Sequence, residues 1–302
     1  MRNPAAPNAP TLPNPADRRR GLLFGLVGVA CFSLTLPATR IAVAGLDPVF
    51  VGLGRAVVAA VLAGCTLVAL RVRWPGRAAL PGLAVVAAGV VVGFPLFSAW
   101  AMRHVPASHG AVVIGLLPLA TALAGAWLAH ERPTPVFWLC SVAGSTVVVA
   151  FAVWQGGGVP QLADGLLLVA VAAAAVGYAE GGRLSRSLPG WQVISWALVL
   201  SAPAMLAVTL VATGATMPVA APAAWAGFAY VSVISMFVGF FAWYRGLALG
   251  GIAIVGQTQL LQPFLTLFAS ALLLGEPLEP ATFVAAGLVI VAIAVGRRFG
   301  TR

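Results

Sequence analysis

Apolar residues run along this chain in long blocks, interrupted at intervals by arginines, prolines and glycine clusters. Cutting at those interruptions predicts ten helices, over residues 21–44, 48–70, 82–102, 107–129, 136–154, 164–184, 191–213, 223–245, 251–274 and 281–297. Each block is close to the ~20 residues that a helix needs to cross a hydrocarbon core of ~30 Å. The blocks do not alternate polar and apolar positions, so a β-barrel is excluded. Lipid offers the backbone no hydrogen-bond partner, which leaves helix as the remaining spanning structure. Residues 1–20, rich in Pro, Asn and Ala and ending in Arg18-Arg19-Arg20, predict a disordered cytoplasmic tail rather than a signal peptide.

Composition sharpens this picture. Hydrophobic residues make up 61% of the 302 positions and charged residues 8%, against about 25% charged in soluble domains. A water-soluble enzyme is therefore excluded. The net charge of +10 does not signal nucleic acid, because every basic residue is an arginine lying in a short cluster between apolar blocks. With ten crossings and a cytoplasmic N-terminus, fourteen of the 17 arginines fall on the inner side, only Arg103 falls on the outer side, and Arg40 and Arg55 lie within helices. This is the positive-inside pattern, and it predicts an inner-membrane protein with both termini in the cytoplasm. Trp74, Trp127, Trp138, Trp191 and Trp243 are expected at inner helix ends and Trp100, Trp154 and Trp225 at outer ends, as interfacial belts.

The chain also repeats itself. A shift of 145 residues superimposes Leu116, Pro118, Thr121, Glu131 and Pro135 on Leu261, Pro263, Thr266, Glu276 and Pro280. The predicted organisation is a first half over 21–154, a Gly-rich periplasmic linker over 155–163 and a second half over 164–298. Five crossings per half is an odd number, so the second half enters the membrane from the opposite side. Inverted halves are the basis of alternating access in secondary transporters, with the substrate site at midplane between them.

These features resemble the EamA family of the drug/metabolite transporter superfamily. The resemblance is carried by Arg55 in the second helix, Pro118 and Glu131 in the fourth, Tyr178 with Arg183 in the sixth, and Pro263 and Glu276 in the ninth. It covers residues 20 to 298 and implies export of amino acids or other small metabolites. It also implies a cavity lined mainly by helices three, four, eight and nine. Phe32-Ser33 stands where many members carry a Trp followed by a small residue.

Candidate site residues follow from cost. The most polar intramembrane stretch is 256–263, where Gln259, Gln262 and Thr266 share a helical face near midplane. Pro263 is expected to free the carbonyl of Gln259, and Pro118 that of Ile114, giving each helix a deformable point. The repeat partner of Thr266 is Thr121, whereas those of Gln259 and Gln262 are apolar, so the cavity is expected to suit an amphipathic substrate. Phe97 and Trp100 on the third helix, with Phe241 and Tyr244 on the eighth, are candidates for its apolar wall, or for packing and belt positions. Arg55 either binds a substrate carboxylate or holds the fold through backbone carbonyls. Glu180 is either a proton relay or the ion-pair partner of Arg183. No metal or cofactor is expected, since Cys31, Cys65 and Cys140 are far apart and no H-E-x-x-H occurs.

The expected partners are therefore a small-molecule substrate, the bilayer and, through Glu180, a proton. A secondary transporter is the leading class. A channel, a lipid- or drug-translocating permease and a membrane-embedded enzyme are its rivals. A primary pump is excluded for want of a Walker A sequence.

Overall fold

The computed structural model describes residues 14–128, 133–156, 162–214 and 216–277, with a few positions between 280 and 295. Most of the helix expected over 281–297, Glu131 and most of the linker lie outside the described residues. The rest is helical, with no strand among the described residues.

The helices are α1 (Pro15–Val43), α2 (Phe50–Ala69), α3 (Arg77–Met102), α4 (Ala107–Ile114, then Leu117–Leu128), α5 (Pro135–Gly156), α6 (Leu162–Leu184), α7 (Gly190–Thr213), α8 (Pro222–Gly250) and α9 (Ile252–Leu274). Seven of these, all but α4 and α5, are long and apolar enough to cross a membrane. Shorter apolar stretches, Leu117–Leu128 and Pro135–Val147, are found in α4 and α5. The α1 helix starts at Pro15, earlier than the expected 21. Asn14 caps it by accepting the Ala16 N–H at 3.2 Å, and Pro15 stands at the first position, where a missing N–H costs nothing.

Small residues let the helices approach closely. Gly21, Gly25 and Gly28 of α1 lie against Gly250, Gly246 and Trp243 of α8, and further along Ala38 lies against Gly227, so the two run antiparallel over their whole length. In the same way Gly82 and Gly89 of α3 meet Glu180 and Gly177 of α6. The α2–α7 pair packs through Gly54 on Thr209 and Gly64 on Val199. The α4–α9 pair meets where Thr121 lies beside Gly256. In lipid, where apolar surfaces gain little from touching each other, such backbone-close contacts supply much of the association energy.

Besides α4, which breaks at Gly115-Leu116, five helices are irregular. The α1 helix breaks at Leu34, α2 opens with a π turn over Phe50–Gly54, and α3 and α8 contain π segments at Ala87–Gly93 and Val231–Val238. The α9 helix tightens to 3₁₀ over Gln257–Leu261. Proline explains two of these. Pro37 cannot donate to the Ser33 carbonyl, and Pro95 cannot donate to that of Val91.

Trp74, Trp127 and Trp154 are exposed, as belts require, but Trp243 is not. It is fully buried, 5.3 Å from the Tyr178 ring and 6.0 Å from the Phe32 ring, because Gly28 lets α8 press its side chain into the core.

A buried polar pocket among six helices

The five irregular turns surround one place. A pocket in the middle of the bundle is lined by Phe32 and Thr35 of α1, Arg55 of α2, Val90 and Phe94 of α3, Tyr178 of α6, Ser235 and Phe240 of α8, and Gln262 of α9. Each helix except α6 contributes its lining residues within or next to its irregular turn. Such turns are tolerated at membrane depth only where protein or a polar cavity takes up the released backbone groups. The cavity measures about 10 Å³, space for about one water molecule.

Arg55 dominates its chemistry. It is 2% exposed, and its Nη2 donates to Ser235 Oγ at 3.0 Å. Ser235 in turn shares a hydrogen bond with Thr35 Oγ1 at 2.8 Å. The Nε and Nη1 of Arg55 are buried with no partner. No carboxylate lines the pocket among the described residues, and a guanidinium stays protonated in proteins. Gln262, which lines the same pocket, is 4% exposed and its Oε1 is buried without a partner. Phe32, Tyr178 and Phe240 form a connected aromatic wall, with centroids 5.0 to 6.1 Å apart. The pocket thus combines spare donors, a spare acceptor and aromatic faces.

The other candidates are placed elsewhere. Gln259 accepts a hydrogen bond from Thr121 Oγ1 at 3.3 Å, joining α9 to α4, and its Nε2 has no partner. The carbonyl of Gln259 is not free as expected from Pro263, because the 3₁₀ turn brings the Gln262 N–H to it. Thr266 donates to the Ser33 carbonyl at 2.8 Å, the group that Pro37 releases. Pro118 stands at the start of the second part of α4, after a break where the Leu116 N–H donates to Val113 at 3.1 Å. α4 lies outside the lining of this pocket, unlike the arrangement implied by the resemblance, while α1, α2 and α6 join α3, α8 and α9 in it.

Phe97 and Trp100 pack edge to face at 5.9 Å, further along α3 than Phe94. Phe241 faces away from the pocket, and Tyr244 is buried with its hydroxyl donating to the Gly177 carbonyl at 3.2 Å. The neighbouring Phe240 takes the wall position instead, five residues from Ser235, because the π segment shifts the register that a 3.6-residue period assumes. Glu180 holds Arg183 through both oxygens, at 2.6 and 2.7 Å. Near the start of α4, His109 meets Asp164 at 2.6 Å and the Ser108 N–H donates to Glu276 at 3.1 Å. Arg40 donates to the Met102 carbonyl at 2.5 Å, tying the ends of α1 and α3.

Of the lining residues, Phe94 belongs to the aromatic i, i+3, i+6 set with Phe97 and Trp100, whereas Thr35, Ser235, Phe32 and Phe240 have no charge or amide to mark them as site residues. The available signal was Pro37, whose partner carbonyl proved to be a tether. Thr266→Val is expected to cost about 1–3 kcal/mol by leaving the Ser33 carbonyl buried and unpaired. Adding Pro37→Ala restores an N–H four residues after Ser33 and should recover part of that loss. Thermal unfolding in detergent measures both, and equal melting of the single and double variants would refute the tether.

Known proteins place this architecture. The sequence profile of the EamA-like transporter family matches residues 19–153 and, a second time, residues 161–296. The chain is 49% identical over 279 residues to the uncharacterized transporter YdeK of Bacillus subtilis (strain 168), covering 92% of this chain and 97% of that one. It is 27% identical over 272 residues to a protein of Streptantibioticus cattleyicolor named "Probable terminal-alkyne amino-acid exporter", covering 88% and 89% respectively. A solved crystal structure shares the fold with a TM-score of 0.71 at 19% identity, over 94% of this chain and 98% of the other. With two matched repeats, apolar spanning helices and relatives named as transporters, the chain is a multi-pass membrane protein that belongs to the EamA-like transporter family.

Proposed function

We propose that this protein exports small amphipathic metabolites of the amino-acid class across the cytoplasmic membrane by alternating access, with both termini in the cytoplasm. The observation that carries the reading is the buried Arg55 with two unpartnered nitrogens in the same pocket as the unpartnered Gln262 carbonyl. A buried cation without a counter-charge is costly, and a substrate carboxylate would relieve that cost through paired charge-assisted bonds. An ammonium group could donate to Gln262, and an apolar side chain could lie against Phe32, Tyr178 and Phe240. The amino-acid exporter name of the Streptantibioticus relative points the same way.

The reading has ten helices, in halves of 21–154 and 164–298 joined by 155–163 and mutually inverted. The contact pattern supports inversion. Exchanging the halves turns the α1–α8 pair into the α6–α3 pair, both glycine-packed, and leaves α2–α7 and α4–α9 as self-paired elements. A cavity with space for about one water favours an occluded carrier over an open channel. Gln259, Thr121 and Thr266 then hold the helices around the site, and Pro118 and Pro263 mark its deformable points. Phe97, Trp100, Phe241 and Tyr244 support or flank it. Glu180, saturated by Arg183, acts as an anchor rather than a relay in this reading.

Gln262→Leu is the test. In proteoliposomes loaded with an amino-acid panel, it should lower saturable counterflow by at least about tenfold, the value of one buried hydrogen bond, at unchanged membrane abundance. Normal flux in that variant removes Gln262 from the site, and flux without exchange stimulation in the wild type indicates a channel.

A further inference from the structure

Beside the glycine-packed line of α1 and α8 runs a second cavity, a groove of about 490 Å³ that shares only Phe241 with the residues of the transport reading. Its volume is within the ~300–1,000 Å³ of small-molecule sites. One wall is a single face of α1, formed by Phe24, Val27 and Cys31 at i, i+3 and i+7. The other is a single face of α8, formed by Val238, Phe241 and Arg245. Trp191, at the start of α7, closes one end and lies 6.2 Å from the Phe241 ring.

The groove is fixed in shape. Gly21 and Gly25 seat α1 directly on the α8 backbone, and Gly190 seats α7 on Tyr244 and Arg245, so none of the three helices can close in to fill it. It opens outward, with Phe24 40%, Val27 54% and Val238 44% exposed. In a multi-pass membrane protein that exposure faces hydrocarbon. Among the described residues that line the groove Arg245 alone is charged; it is exposed and makes no hydrogen bond or ion pair with the other described residues. Since Gly21 packs against Gly250, Arg245 stands at the same end as Arg18–Arg20, the level at which a membrane helix emerges.

We infer that this groove is a binding site for one anionic phospholipid, its acyl chain between α1 and α8 and its headgroup phosphate on Arg245. Apolar walls accept the chain, an arginine with spare donors pairs with phosphate, and basic pockets between spanning helices on one membrane side have this chemistry. The inference is independent of which metabolite the central pocket carries.

Native mass spectrometry of delipidated protein in detergent tests it, with phosphatidylglycerol and phosphatidylcholine of matched chains. The wild type should retain one phosphatidylglycerol about fivefold more than phosphatidylcholine, the effect of one cation near a lipid surface. Arg245→Gln should abolish that preference while still binding both lipids through their chains. Arg77→Gln, which removes an equal charge from a position outside the groove, should preserve it. Ala242→Trp and, separately, Val27→Trp should fill the groove and remove the bound lipid whatever its headgroup. Equal behaviour of the Gln variants would reduce the effect to general electrostatics and overturn the site. Lipid retained in both Trp variants, or phosphatidylglycerol displaced by millimolar inorganic phosphate, would also overturn it.

Discussion

Replacing Arg55 with methionine is expected to raise the stability of the protein and at the same time eliminate its transport. The two effects have opposite signs because the residue is costly to the fold and is required by the proposed site. Buried at 2% exposure, it has one hydrogen bond from Nη2 and two nitrogens without partners, and among the described residues no lining carboxylate offsets its charge. Exchanging buried charges for a well-packed apolar side chain is often neutral or stabilising by about 1–4 kcal/mol. Ser235 would keep its bond to Thr35, so the exchange strands no new polar group there. Melting in detergent should rise by a few degrees. If the paired charge-assisted bonds to a carboxylate contribute about 3 kcal/mol, flux should drop by about two orders of magnitude. A wild type that substrate stabilises and a variant that it does not would complete the case. Lower stability with unchanged flux would make Arg55 a structural residue and take the substrate carboxylate out of the proposal.

The same residue illustrates how far the sequence could be read. Among the described residues nine helix positions were legible, seven of them long and apolar enough to span, because hydrocarbon thickness sets helix length and the charges between blocks mark where each helix stops. Arg55 and Gln262 stood out because a charge or an amide inside an apolar block is expensive. Thr35 and Ser235 carry no such mark, since a hydroxyl can satisfy itself on its own helix, as Ser33 and Ser232 do. Phe240 lines the pocket where a 3.6-residue period points to Phe241, because such a period cannot anticipate a π segment. The carbonyl expected to be free at Gln259 was taken by a 3₁₀ turn, whereas the one that does tie helices together, at Ser33, lies beneath a proline outside the repeated motif.

Gly246→Leu should be the most damaging single change to the fold. A Cβ at Gly246 would lie 2.8 Å from the Gly25 nitrogen and 2.9 Å from the Gly21 carbonyl oxygen, and one at Gly21 would lie 2.6 Å from the Gly250 nitrogen. These neighbours are backbone atoms of a facing helix, so no side chain can rotate away, and the two helices would have to separate along their length. Overpacking in a core costs about 1–3 kcal/mol where side chains can adjust, so separation of this pair should exceed that range. A graded series tests the mechanism. Gly246→Ala should lower the melting temperature in detergent, Gly246→Leu should abolish a folded monodisperse species, and Gly165→Ala, with no atom within 4 Å of its Cβ, should be silent. The functional consequence follows from the same geometry. If α1 and α8 are held backbone to backbone, they must move as one rigid body, and opening of the central pocket must occur where side chains rather than glycines meet. A disulfide joining Gly45→Cys, just past the end of α1, to Ala224→Cys of α8, where the two Cβ atoms would lie 3.3 Å apart, should therefore leave flux intact. Loss of flux on oxidation, restored by reduction, would show that α1 and α8 slide past each other during transport.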